Sequence, residues 1–183
     1  MKERLEIRDT AKLNITLRRL CAELRAAYGD FQNTVLLGIQ PRGALFASRI
    51  HHMMQSMYPE ISLPCGYLDI TFHRDDFRRH ETPLLANENT IHFSLENKQV
   101  ILADDVLFTG RTIRSAMDAM LTYGRPEAVK LLILVDRSHK RELPIHADFS
   151  GFRIDTLDNE KVIVEWQEKH GKDSIRIETR KTN

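Results

Sequence analysis

The sequence predicts an α/β fold, a mostly parallel, twisted sheet flanked by helices, and three observations predict it. Short, nearly continuous aliphatic runs recur along the chain: TVLLGI at 34–39, VILA at 100–103 and VKLLILV at 129–135. Such runs suit strands buried on both faces. Between them lie stretches with apolar residues three and four positions apart, the pattern of crossover helices. Finally, 183 residues with 42% apolar and 29% charged side chains can bury a substantial core around one sheet. A single domain spanning residues 1–183 is the economical division, because no internal repeat or low-complexity linker interrupts the chain.

Each element follows in order. Asp9 or Thr10 can cap a helix in which Leu13, Leu17, Leu20, Leu24 and Ala27 share one face, and Gly29 stops it. After the first aliphatic strand, Gln40-Pro41-Arg42-Gly43 turns the chain into a second helix running to about Met57. YLDITF, Tyr67 to Phe72, alternates enough for a further strand. From His73 to Asn89 the pattern dissolves into HRDDFRRHETPLLANEN, a charged loop of a length that is commonly functional or disordered. Beyond the 100–103 strand, Ile113, Ala116, Met117, Met120 and Leu121 form a helical face closed by Gly124, with Pro126 behind it. The tail reads as short strands, IHADF, VIVEW and SIRIE, around turns such as Leu157-Asp158-Asn159.

Charge and cysteine usage narrow the setting. Lys and Arg number 27 against 26 Asp and Glu, a formal charge of +1. That balance argues against a dedicated nucleic-acid coat and leaves room only for a local basic patch. Cys21 and Cys65 make no CxxC, as expected of a reduced, cytoplasmic protein. MKERLEIRDT lacks the apolar core of a signal peptide, and LLILV at 131–135 is far too short to span a bilayer, so no membrane partner is expected.

The chemistry concentrates in VILADDVLFTGRT, Val100 to Thr112. Asp104 and Asp105 follow a buried strand, and open parallel sheets bind ligands beyond the carboxyl ends of their strands. Thr109-Gly110-Arg111-Thr112 then opens a helix, whose unpaired amides and dipole favour a phosphate. Gly110 lets the backbone approach closely, while Thr109 and Thr112 add hydroxyl donors. The GxxxxGK[ST] spacing of a Walker loop is absent. Two carboxylates beside a phosphate cradle repel the ligand unless they accept hydrogen bonds or share a cation such as Mg²⁺. Ribose diols satisfy the first condition and a magnesium diphosphate the second.

The segment resembles the phosphoribosyl-pyrophosphate signature of type I phosphoribosyltransferases, and the likeness extends beyond it. LGIQPRG at 37–43, LDITFHRDD at 68–76, DDVLFTGRTIRSAMDA at 104–119, GRP at 124–126 and LVDRSHKRELPIHADF at 134–149 are similar, in order, to one bacterial family. Its members are bifunctional pyrimidine-operon regulators and uracil phosphoribosyltransferases. The resemblance implies a type I phosphoribosyltransferase fold with a small hood region. It also implies a reaction in which uracil displaces Mg²⁺-pyrophosphate from C1 of phosphoribosyl pyrophosphate, giving UMP.

Site residues follow from the same resemblance. Asp104 and Asp105 would hold the ribose hydroxyls and reach Mg²⁺ through the bound substrate. Val106, Leu107, Phe108, Thr109, Gly110, Arg111 and Thr112 would form the nucleotide loop, its last four residues on the 5′-phosphate. Pro41, Arg42 and Gly43 would hold the pyrophosphate, although proline has no amide where relatives often offer one. Residues 73–90 would form a flexible active-site loop, with Arg74 neutralising oxygens and Asp75 and Asp76 reaching Mg²⁺. Purine-salvage relatives resemble one another in carrying an acid where this chain has Phe108, so a pyrimidine is favoured. Asp136 and Arg137 would face the base edge.

Relatives also bind their own operon's mRNA when UMP is present. Candidate contacts here are Lys12, Arg18, Arg19 and Arg25 on the first helix, with Lys140 and Arg141. The relatives carry Thr and His about where this chain has Arg18 and Ala22, and Arg and Lys where it has His146 and Phe152. DRSHKRELPI is one residue longer than the usual pattern, with Ser138 in place of glycine. Catalysis is therefore expected to persist and attenuation-type RNA binding to be lost or changed. The resemblance also implies a homo-oligomer, dimeric or tetrameric.

Overall fold

The computed structural model describes residues 4–73 and 90–179. Its main sheet is all parallel, in the order β3-β2-β4-β5-β6, from β2 (Thr34–Ile39), β3 (Cys65–Leu68), β4 (Gln99–Leu107), β5 (Ala128–Arg137) and β6 (Phe149–Ile154). Beside it stands a small antiparallel sheet, β1-β8-β7, from β1 (Arg4–Arg8), β7 (Glu160–Glu165) and β8 (Ser174–Thr179). Helices α1 (Thr10–Tyr28), α2 (Arg42–Met57), α3 (Arg111–Met120) and the single turn α4 (Gln167–His170) complete the order.

The aliphatic runs are continuous because the main sheet is covered on both faces. Leu36, Ile101, Ala103, Leu132 and Leu134 pack against α1, α2 and the hood residues Val162, Val164, Trp166 and Ile175. The alternate residues Val35, Leu37, Val100, Leu102, Leu131 and Ile133 pack with Ile113, Ala116 and Met120 of α3. Period-two alternation is present, but both faces are apolar. Helix α1 begins where Asp9 accepts the Lys12 amide at 2.9 Å and ends at Gly29. Its buried stripe is Leu13, Leu17, Leu20, Cys21 and Leu24, each leucine contributing about 2 kcal/mol by burial.

Several boundaries differ from the sequence expectation. Ala27 is exposed, as are Met117 and Leu121, so the α1 stripe is one turn shorter and the α3 face narrower. The strand expected at 67–72 runs instead from Cys65 to Leu68. The Asp69 carboxylate accepts from the Thr71 amide at 2.8 Å and its hydroxyl at 2.6 Å, which folds the chain into a 3-10 turn, Thr71–His73. IHADF is irregular, and the strand starts only at Phe149. Asp148 caps that junction by accepting from the Leu131 amide at 2.8 Å. The charged N-terminus supplies β1, which the sequence pattern did not reveal.

Candidate active site

Strand β4 runs past Ala103 to Leu107, so both acids lie inside its last turns of pleat rather than in a loop. Asp104 and Asp105 are 7% and 4% exposed. The Asp104 carboxylate accepts the Asp105 amide at 2.9 Å, while Oδ2 of Asp105 has no partner among the described residues. Burial raises both carboxyls: Asp104 well above the usual range, helped by the charge of Asp105, and Asp105 to about 6. The Arg42 guanidinium opposes both shifts.

Arg42 is close because α2 starts against β4. A Cβ on Gly43 would stand 2.5 Å from the Ala103 carbonyl oxygen and 2.9 Å from Asp104 Oδ1. Only glycine permits that approach. The Gln40–Pro41 peptide is cis. The result is a cleft of about 300 Å³ with Gln40, Pro41 and Arg42 on one side and Asp104 and Asp105 on its floor. Phe108, Arg137, Lys161 and Val162 line the other side.

Thr109 and Gly110 lead into α3. Gly110 has φ +94°, in the region that favours glycine, and an added Cβ would also press on Ile145 at 3.2 Å. Helix geometry leaves the first-turn amides of α3 without intrahelical acceptors, and they border a hollow of about 270 Å³ lined by Thr109, Gly110, Arg111 and Thr112. The loop is held from behind. The Thr109 carbonyl accepts from the amides of Glu142 at 3.0 Å and Leu143 at 3.2 Å, and Arg111 pairs with Glu142 at 2.6 Å.

The other end of the cleft is built from arginines. Arg137, 5% exposed, lies 3.9 Å over the Phe108 ring. It donates to Thr156 Oγ1 at 3.0 and 2.8 Å and to the Glu160 carbonyl at 3.1 Å. Arg141 donates to the carbonyls of Leu107 (3.3 Å), Arg137 (3.0 Å), Ile145 (3.0 Å) and Phe108, and to the Asp136 carboxylate. Asp136 and Arg137 do not act side by side, because successive strand residues point to opposite faces. Arg137 lines the cleft, whereas Asp136 lines a second hollow with Ser138, His139, Arg141, His146 and Arg153.

Four of the expected RNA contacts, Arg19, Arg25, Lys140 and Arg141, are engaged within the chain. Arg19 binds Glu23 and the carbonyls of Ser150 (3.0 Å) and Gly151. Arg25 reaches the Gly29 carbonyl and Glu60, and Lys140 pairs with Asp158. Arg141 turns inward, so it is a clamp on the strand ends rather than a surface cation. Arg74, Asp75 and Asp76 lie outside the described residues. Lys161 and Val162 line the cleft and Thr156 braces Arg137, and no motif marked them; they come from a tail whose pattern shows only alternation. Among the described residues no group of three or more His, Cys, Asp or Glu could hold a metal, and no helix is long and apolar enough to cross a membrane.

A strand ending in buried acids, a glycine-opened helix behind it and a small antiparallel hood define a phosphoribosyltransferase, and the chain matches the phosphoribosyl transferase domain over residues 3–169. Within that class it belongs to the family of the bifunctional PyrR proteins. It is 44% identical over 172 residues to the bifunctional protein pyrR of Enterococcus faecalis, covering 94% of this chain and 95% of that one. Identity to the PyrR of Microcystis aeruginosa is 42% over 173 residues, covering 94% and 96%. Among solved structures it is similar to the hypoxanthine phosphoribosyltransferase of Trypanosoma cruzi, with TM-score 0.71 and 14% identity over 96% of this chain and 97% of that one. The HGPRT-ase of Leishmania tarentolae gives TM-score 0.69 and 15% identity over 97% and 98%. At such identities the likeness shows the fold alone, a type I phosphoribosyltransferase fold with a five-stranded parallel sheet and a hood.

Proposed function

We propose that the chain is a cytoplasmic uracil phosphoribosyltransferase that converts uracil and phosphoribosyl pyrophosphate to UMP and pyrophosphate. The observation that carries this reading is the buried Oδ2 of Asp105, without a partner among the described residues, next to the helix-opening loop at Thr109 to Thr112. A buried carboxylate oxygen without a donor asks for one, and a ribose whose phosphate sits in that loop brings two hydroxyls. Asp104 and Asp105 accept these hydroxyls and fix the ribose. The first-turn amides and Thr hydroxyls take the 5′-phosphate, and Arg42 faces the pyrophosphate.

The donor set suits a magnesium ion that arrives on the substrate, since two carboxylates need diphosphate and ribose oxygens to complete its shell. Mg²⁺ would neutralise charge on the departing pyrophosphate. The protein's own share is positioning: ribose and base are held so that N1 and C1 meet in line. Phe108 supports a pyrimidine, because it presents a ring face, backed by Arg137, in place of an acid.

Pyrophosphate release by the purified chain, with phosphoribosyl pyrophosphate, Mg²⁺ and uracil, orotate, hypoxanthine or guanine offered separately, tests the reading. Turnover is expected with uracil alone. Turnover with a purine instead would overturn the base assignment.

The relatives' name, bifunctional protein PyrR, favours a second reading, UMP-dependent binding of pyrimidine-operon mRNA by a homo-oligomer. The exposed Arg153, beside a hollow that Asp136, His139 and His146 also line, supports a cationic contact there. The engaged state of Arg19, Arg25, Lys140 and Arg141 supports a weakened or altered one. A nanomolar, UMP-dependent complex with leader RNA at moderate salt would restore full RNA binding.

A further inference from the structure

Helix α2 reaches both walls of the cleft. Arg42, Phe46 and Arg49 follow at intervals of four and three, so they share one side of the helix. Arg42, at the first turn, lines the cleft with Asp104 and Asp105. One turn on, Phe46 stacks on Trp166 of the hood, ring centroids 6.4 Å apart and 15° from parallel. A further turn on, the Arg49 guanidinium lies 5.5 Å over the same indole.

Arg49 also grips the hood through two acids. It donates to Glu168 at 2.6 and 2.8 Å and to Asp173 at 2.9 and 3.3 Å. Asp173 is the weightier partner, because its side chain is 6% exposed against 51% for Glu168. The Asp173 carboxylate accepts the Gln167 amide at 2.7 Å as well, and its carbonyl accepts from the Thr10 hydroxyl of α1 at 3.2 Å. The turn from Trp166 to Asp173 is thus pinned to α2 and α1.

That turn continues strand β7. Val162, Val164 and Trp166 alternate onto one face and are buried in one core, and Val162 reaches the cleft. At the start of the strand, the Glu160 carbonyl accepts from Arg137 at 3.1 Å. The strand is therefore held at both ends, with Val162 between them. We propose that Arg49 is a positioning residue. By fixing Trp166 and Asp173 on the helix that carries Arg42, it sets how far Val162 stands across the cleft, and so the grip on the base. The proposal rests on the uracil phosphoribosyltransferase reading and puts the pyrimidine between Phe108 and Val162.

Two variants test it, R49M and the double variant R49M with D173N. R49M leaves the buried Asp173 carboxylate without its cation, so the melting temperature should fall. D173N removes that charge, keeps an acceptor for the Gln167 amide, and should restore most of the loss. Positioning is expected to fail in both. KM for uracil should rise roughly tenfold in each, while KM for phosphoribosyl pyrophosphate stays within about twofold. Hydrogen exchange should quicken at the amides of residues 160–175 and not in α3. A uracil KM that recovers together with the melting temperature would mean that Arg49 only stabilises the fold, and overturn the proposal. Equal rises in both KM values would overturn it too. An active wild-type chain with an unchanged uracil KM in R49M removes this proposal alone. A wild-type chain inert with every base removes the parent reading and this one with it.

Discussion

The two ends of the cleft are built in opposite ways. At the end we propose for the phosphoribosyl group, one continuous segment from Asp104 to Thr112 supplies acids and amides, and Asp105 Oδ2 has no partner among the described residues. At the base end, residues from four segments meet, and the arginines Arg137 and Arg141 tie them together. The first end is strained by burial until a ligand satisfies it. The second is satisfied already and works by holding a shape. The contrast teaches that acids and helix amides can be gathered by one local segment, whereas the arginine-lined end needs a surface assembled across the fold.

The largest expected effect breaks the phosphoribosyl end. Asp104→Asn with Asp105→Asn should lower turnover at least a hundredfold, because the proposed ribose site loses its carboxylate acceptors. The same pair should raise the melting temperature by a few degrees near neutral pH, since it removes buried, poorly compensated carboxylate charge. The sign follows from burial, which lifts the Asp105 carboxyl to about 6. A raised carboxyl stabilises the fold when protonated. Its contribution is therefore present below pH about 4 and lost as pH rises through about 6. Activity runs the other way: kcat/KM for phosphoribosyl pyrophosphate should climb between these limits as Asp105 ionises. A double variant that is both inactive and less stable would contradict the picture of uncompensated acids.

A smaller effect sharpens the base end. Arg141→Ala would leave four carbonyls without this donor and the Asp136 carboxylate with Arg153 alone, at 3.6 Å. Stability should fall by about 3 kcal/mol in urea unfolding. KM for uracil should rise about tenfold as Phe108 and Arg137 loosen. Arg141→Lys keeps the charge but not the five-donor fork, so it should recover little. Full recovery by lysine would show that charge alone matters there.

The same contrast explains how much was legible in the sequence. Strand β2, the cap at Asp9 and the DD-TGRT loop depend on neighbours in the chain, and their residues announced them. β1 was hidden because its pattern, RLEIR, is charged, and only its pairing with β8 orders it. The separation of Asp136 from Arg137 is a matter of strand register, invisible in two adjacent letters. Lys161 and Val162 line the cleft from the hood, which no local motif encodes. Arg141 looked like a surface cation because arginine usually is one; its five acceptors come from three places along the chain.

The smallest effect comes from the next residue along. Glu142 pairs with Arg111 at 2.6 Å behind the phosphate loop, but both side chains are about half exposed, 50% and 55%. Water and salt screen such a pair, so Glu142→Gln should change unfolding by less than about 0.5 kcal/mol. Removing a carboxylate beside the phosphate hollow should also tighten phosphoribosyl pyrophosphate binding by about twofold at low salt, and by less at high salt. The backbone bond from the Glu142 amide to Thr109 survives the change, so the loop keeps its shape. Adjacent residues, Arg141 and Glu142, thus serve opposite ends of one cleft with very different weight, and burial rather than charge decides the difference. Titration calorimetry on both variants checks this directly: an effect of E142Q as large as that of R141A would show that the phosphate end leans on side-chain charge after all.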